Sequence, residues 1–175
     1  MIVIKAITGK EALETGLAEQ ILEFDRENMR EILSQAGIDF PEEKRRKGFE
    51  NNPTVIIAFE NETIVGYLEY CRNWGDPEQI YFSSLQIDPR HRRGFVLAKL
   101  IGKAKEYLMG ERFTKIVTGV QKNNHHAVRL YKELGFQIEE NPNNEKSYAV
   151  TGGKEILNNE RILSIMRRLL KRRRA

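Results

Sequence analysis

Apolar and polar positions alternate, cluster and recur along the chain in a way that predicts a mixed α and β order. Ile2 to Ile7 reads as a strand, and from Lys10 to Ala36 the apolar residues Leu13, Leu17, Ile21, Met29, Ile32 and Leu33 recur at helical spacing. One bent helix or two consecutive helices would fit that run. Residues 38 to 53 are polar and highly charged, carry Pro41 and Gly48, and end in Asn51-Asn52-Pro53, so a loop is expected, placed to border an entrance. Thr54 to Phe59 and Thr63 to Cys71 are β-rich runs joined by Glu60-Asn61-Glu62, which predicts a hairpin, and Gln79 to Ile87 predicts a third strand after Asn73-Trp74-Gly75-Asp76-Pro77. A helix with Leu97, Leu100, Ile101, Ala104 and Leu108 on one stripe follows, ending near Gly110. Then come a strand from Lys115 to Val120, a helix from about Asn124 to Leu134 closed by Gly135, and two short strands, Phe136 to Glu139 and Ser147 to Val150. The order is α/β of the α+β type, with no fixed-period repeat.

Composition narrows the class. At 175 residues and 40% apolar content, the chain holds one sizeable core, expected over residues 1 to 157, followed by a separate basic helix over 158 to 175. Cys71 stands alone, so there is no disulfide framework and no cysteine cluster for zinc. With no charged leader and no apolar run near the roughly 20 residues of a membrane span, a soluble, cytoplasmic protein is expected. Residues 161 to 175 hold seven Arg or Lys and no acid, and taking these from the net +4 leaves the rest of the chain at −3. The basic character is therefore a property of the tail.

Two stretches carry chemistry. Asp88-Pro89-Arg90-His91-Arg92-Arg93-Gly94-Phe95 crowds cations between a strand and a helix start, where the helix already presents free N–H groups and the positive end of its dipole. Arginines there are locally unfavourable unless an anion arrives, which suggests a phosphate site. Neither a P-loop nor a Gly-x-Gly-x-x-Gly fingerprint occurs, and Gly152-Gly153-Lys154 reads as a turn. In the second stretch Asn124, Ala127 and Tyr131 fall at i, i+3 and i+7, so an amide, a small side chain and a phenol share one helix face. His125 and His126 diverge by about 100° on a helix and form no two-ligand metal site, so no metal role is expected.

This pair of motifs, in this order and about one strand apart, resembles the GNAT family of N-acetyltransferases over most of residues 54 to 150. Ile87-Asp88-Pro89 resembles the family's strand-ending turn, and the loop after it resembles the Arg/Gln-x-x-Gly-x-Gly/Ala segment. Counted from Pro89, Arg92 takes the first position while Phe95 and Leu97 stand where the family has glycine and Gly/Ala; one residue earlier, the positions fall on His91, Gly94 and Val96. Asn124, Ala127, Tyr131, Gly135 and Phe136 match the family's Asn-x-x-Ala-x-x-x-Tyr and Gly-Phe position for position.

The resemblance implies an acyl-CoA N-acyltransferase fold, a mixed twisted sheet flanked by helices, and transfer of the acetyl group of acetyl-CoA to a primary amine by direct attack. It further implies that Arg92, Arg93, Gly94, Phe95, Val96, Leu97 and Ala98 cradle the pyrophosphate. Leu85, Gln86 and Ile87 would hold the pantetheine and supply oxyanion donors, with Asn124, Ala127 and Tyr131 completing the site. Tyr131 would protonate the departing sulfur. Glu69, Glu78 and Tyr81 are candidates for the base or a water relay, with Glu69 taken as catalytic.

The tail offers a second reading. Asn159 can cap a helix whose Ile162, Ile165, Met166 and Leu169 form an apolar stripe opposite Arg167, Arg168, Lys171 and Arg172. That stripe would pack on the protein's own body or on a second copy as a homodimer, or meet an anionic membrane surface, RNA or an acidic protein. The alternative function is thus a catalytically weak module of this fold, docked through its tail to RNA, a ribosome or an acidic partner.

Overall fold

The computed structural model describes residues 1–73, 75–92, 95–158, 160 and 164. The apolar stripe and the cations of the expected tail helix, its Asn159 cap and the docking assigned to it lie outside these residues, as do Arg93 and Gly94.

The chain opens with strand β1 (Ile2–Thr8) and turns directly into helix α1 (Gly9–Glu14). Thr8 and Glu11 make that turn, because the Thr8 side chain accepts from the Glu11 N–H while the Glu11 carboxylate accepts from the Thr8 N–H. Gly16, at φ 74°, separates α1 from α2 (Leu17–Gln35), so the helical run is two helices. Residues 38 to 53 are not a loop: they contain helix α3 (Glu42–Glu50). Its pattern shows no apolar period because its one large buried side chain is Phe49, fully enclosed against α1 and α2. The helix is held in addition by ion pairs one turn apart, Glu42 with Arg46 and Glu43 with Lys47.

Strands β2 (Thr54–Glu60) and β3 (Thr63–Asn73) form the expected hairpin, with Asn61 and Glu62 both at positive φ in the turn. Strand β4 (Asp76–Ile87) begins three residues earlier than its apolar pattern suggests. Helix α4 (Phe95–Leu108), strand β5 (Lys115–Gln121), helix α5 (His125–Glu133), strands β6 (Gln137–Glu140) and β7 (Ser147–Gly153) and a short 3₁₀ turn (Lys154–Asn158) follow. Gly152 and Gly153 therefore lie in β7 and not in a turn; Gly152 pairs with Ile116, and a side chain there would collide with Ile156 and Phe136.

Seven strands among the described residues form one sheet in the order β1-β2-β3-β4-β5-β7-β6. Among the described residues β4 and β5 run parallel and the other neighbours antiparallel. Helices α1, α2 and α3 cover one face through Val55, Ile57 and Tyr67; α4 covers the other through Ile56, Leu68 and Phe82, joined there by Tyr131 of α5 and by Leu134, which follows it. Burial on both faces explains why β2 and β3 read as nearly continuous apolar runs. No helix among the described residues is long and apolar enough to cross a membrane.

Candidate active site

The site begins where the sheet comes apart. Strands β4 and β5 pair only at Gln79, Ile80 and Tyr81 with Lys115, Ile116 and Val117, among the described residues. Beyond that point β4 stays with β3 as far as Ile87, while β5 stays with β7 as far as Gln121. Thr118 sits in the crotch, its hydroxyl donating to the Phe82 carbonyl at 2.7 Å. A side chain thereby satisfies a main-chain acceptor that the separated strand no longer reaches. The wedge opens into a cleft of about 430 Å³.

A bulge shapes one wall. Glu69 pairs with Ser84 and Tyr70 with Phe82, which leaves Ser83 as the extra residue of β4. Both serines consequently turn toward the α1–α3 face. Ser83 Oγ donates to Glu69 Oε1 at 2.5 Å, and Ser84 Oγ lies 2.8 Å from the Tyr67 hydroxyl. Leu85 and Gln86 continue the same wall.

Helix α5 forms the base. Asn124 caps it by accepting from the Ala127 N–H at 3.1 Å, and Gly135, at φ 91°, ends it. Asn124, Ala127 and Tyr131 all line the cleft, as their shared helix face predicts. Tyr131 is 7% exposed and rests edge-on against Phe136, with ring centroids 5.3 Å apart. Burial pushes its phenol up to about 12, against a smaller downward pull from the Thr118 hydroxyl.

The cationic turn is tied down on its strand side. Asp88 caps the 3₁₀ turn Pro89–His91 by accepting from the Arg90 N–H, and His91 Nε2 lies 3.1 Å from Glu60 Oε2 of the hairpin. Arg92 donates from Nε to the Ile87 carbonyl at 3.2 Å. Val96, Leu97 and Ala98 are buried and turned into the core, so these side chains leave the outer face of the first turn of α4 to backbone. Phe95 is half-buried beneath the Lys99 ammonium, 5.1 Å from its ring centroid. Gly66 allows this closeness: a Cβ there would come within 2.9 Å of Val96 and 3.0 Å of the Gln86 carbonyl. His126 is held below its ordinary value by partial desolvation and then by the charges of Arg92 and Arg129, marking a positive rim beside the turn.

The three base candidates separate. Tyr81 lines the cleft, its phenol raised mainly by burial. Glu78 is exposed, at the opposite end of β4 from Ile87. Glu69 is buried beneath the wall and is bound by the hydroxyl of Ser83, a residue that lines the cleft.

Around Glu69 lies a network that the sequence did not reveal. Arg45 of α3 donates to Glu69 from Nη1 at 3.2 Å and Nη2 at 3.3 Å, to Asp25 from Nε at 3.0 Å, and to the Tyr67 hydroxyl from Nη2 at 3.1 Å. Tyr67 in turn donates to Asp25 at 2.5 Å. Burial raises the Asp25 carboxyl above its ordinary range, opposed chiefly by the Arg45 charge, and burial also lifts the Tyr67 phenol well above 10. One signal was available: Asp25 shares the buried stripe of α2 with Ile21 and Leu22. Among the described residues, no group of three or more His, Cys, Asp or Glu is placed to hold a metal ion.

The sequence profile of the acetyltransferase (GNAT) family matches residues 18–136. The chain belongs to that family. Its structural neighbours include the PaiA N-acetyltransferase of Thermoplasma acidophilum in complex with coenzyme A, at 15% identity and TM-score 0.66, covering 87% of this chain and 99% of that one. An acetyltransferase of Thermus thermophilus is similar at 15% identity and TM-score 0.62, covering 87% and 97%. Diaminobutyrate acetyltransferase EctA of Paenibacillus lautus, in complex with L-2,4-diaminobutyric acid and coenzyme A, is similar at 17% identity and TM-score 0.61, covering 87% and 95%. The comparison with curated proteins matches none. At these identities the neighbours establish the GNAT fold, and the wedge between β4 and β5 is where this member of the family opens its sheet.

Proposed function

We propose that the protein is an acetyl-CoA-dependent N-acetyltransferase that acts on a primary amine by direct attack. Family membership supports the reaction class, and the coenzyme A named with two of the fold neighbours supports the cosubstrate. The observation that carries the reading is the open β4–β5 wedge with the Tyr131 phenol at its base. The residues present fit such a cosubstrate: the outer backbone of α4's first turn, Arg92 and the positive rim suit a pyrophosphate, and the wedge suits an extended arm.

Acetyl-CoA supplies a thioester carbonyl that an amine can attack, with negative charge gathering on its oxygen and then on sulfur. In a strand, alternate N–H groups point to opposite sides, so within Leu85, Gln86 and Ile87 at least one amide points away from β3 into the wedge as a preorganised donor. The Tyr131 phenol, at about 12, holds its proton at neutral pH and faces a thiol of ordinary pKa about 8.5, so full transfer is uphill. Its contribution is a hydrogen bond to the departing sulfur, completed as the sulfur's own basicity rises in the same buried site. An acceptor ammonium of pKa about 10.4 must shed a proton before attack. Glu69, through the Ser83 hydroxyl, takes that proton, and Arg45 holds the carboxylate in place.

The test is thermal unfolding with acetyl-CoA. At 100 times its dissociation constant the ligand adds about 2.7 kcal/mol of stability; the absence of any shift overturns the proposal. Release of free CoA thiol across a panel of amines then reads the activity directly.

A further inference from the structure

Helix α3 carries four cations on four successive positions, and three of them are neutralised. Arg45 meets Asp25 and Glu69, Arg46 meets Glu19 and Glu42, and Lys47 meets Glu43. Lys44 differs: it is exposed, lines the cleft, and has no carboxylate within ion-pair distance among the described residues. It is also the one charged side chain among the described residues lining that cleft, whose remaining polar groups are hydroxyls and amides such as Ser84, Asn141 and Asn144. The nearby carboxylates of Asp25 and Glu69 are buried and already bound by Arg45.

Resting on the acetyltransferase reading above, we infer that the acceptor is a small amine that also bears a carboxylate, an amino-acid-like zwitterion whose anionic end Lys44 holds at the cleft mouth. The alternative anion, a cosubstrate phosphate, is on the wrong side. Lys44 belongs to α3, whose Phe49 packs on the α1–α3 face of the sheet, whereas the cationic turn leads into α4, whose Val96 and Leu97 pack on the opposite face. A polycationic acceptor is disfavoured for the same reason. Its second ammonium would meet the Lys44 charge and, among the described lining residues, no carboxylate.

Matched amines that differ only by the carboxylate test this: L-lysine against cadaverine, L-ornithine against putrescine, and L-2,4-diaminobutyrate against 1,3-diaminopropane, read as thiol release at saturating acetyl-CoA. A charge-assisted contact from the exposed Lys44 predicts about a tenfold higher kcat/KM for the carboxylate-bearing member of a pair, expressed mainly in KM. K44M removes the preference and K44E reverses it, while the dissociation constant for acetyl-CoA, measured by calorimetry, stays within about twofold. Preference for the diamines, a ratio unchanged by K44M, a loss of acetyl-CoA affinity instead of acceptor preference, or no turnover of any of these amines overturns the inference. If acetyl-CoA stabilises the protein, any of those results leaves the acetyltransferase reading standing. If acetyl-CoA does not bind, it is that reading that has failed.

Discussion

Arg45 Nη1 lies 3.2 Å from Glu69 Oε1 and Nε of the same side chain lies 3.0 Å from Asp25 Oδ2, so one guanidinium from α3 binds two carboxylates from α2 and β3. Both carboxylates are almost wholly buried, Asp25 at 3% exposure and Glu69 at 2%. A buried ion pair returns its desolvation cost only when its hydrogen bonds are complete, and here Tyr67 and Ser83 complete them. The helix that supplies the guanidinium also supplies Lys44, so the buried cation and the cleft-lining cation are neighbours on one short element.

Removing the guanidinium leaves two carboxylates facing each other without a counter-charge. R45M is expected to lose about 3–5 kcal/mol in chemical denaturation. A midpoint equal to that of the wild type would show that the network adds nothing to the fold.

Tyr131 tests the chemistry apart from the fold. Y131F deletes one hydroxyl and keeps the ring against Phe136. It is expected to lower kcat by about 10- to 100-fold, toward the lower end of proton-transfer contributions because the buried phenol is a poor acid. The affinity for acetyl-CoA, read by calorimetry, should hold. An unchanged kcat removes Tyr131 from the mechanism.

Gly66 tests the seat of α4. A methyl group there must displace Val96 or the β4 backbone at Gln86, neither of which is the free end of a flexible side chain. G66A is expected to cost about 1–3 kcal/mol and to weaken acetyl-CoA binding as the start of α4 lifts from the sheet. Full retention of both quantities would place the helix start elsewhere.

Asp88 gives the cationic turn a pH signature. Hydrogen bonds from the Arg90 side chain, then from its backbone N–H, pull the Asp88 carboxyl down to about 2, below the ordinary value near 3.9. A lowered carboxyl stabilises the fold fully above the unfolded value and loses that contribution as pH falls from about 4 toward about 2. The stability difference between wild type and D88N should therefore be level above about pH 5 and shrink across that acid window. A difference independent of pH down to 2 would deny Asp88 its anchoring role.

The sequence by itself determined the strands, the two longest helices and the shared face of Asn124, Ala127 and Tyr131, because local period and capping residues encode each of these within a turn or two of chain. It also carried the two motifs on which the resemblance rests. Helix α3 escaped because it buries one side chain and is otherwise held by charges, leaving no apolar period to see. The meeting of Asp25, Arg45, Tyr67 and Glu69 escaped because its hydrogen-bonded partners lie 20 to 42 residues apart and face each other across strand and helix. Only the tertiary structure decided where the sheet splits, which of three candidate bases lies beneath the cleft wall and which cation lining the cleft has no ion-pair partner among the described residues. Hydrophobic spacing records which face of an element is buried. The pairing of charges depends on which elements that burial brings together.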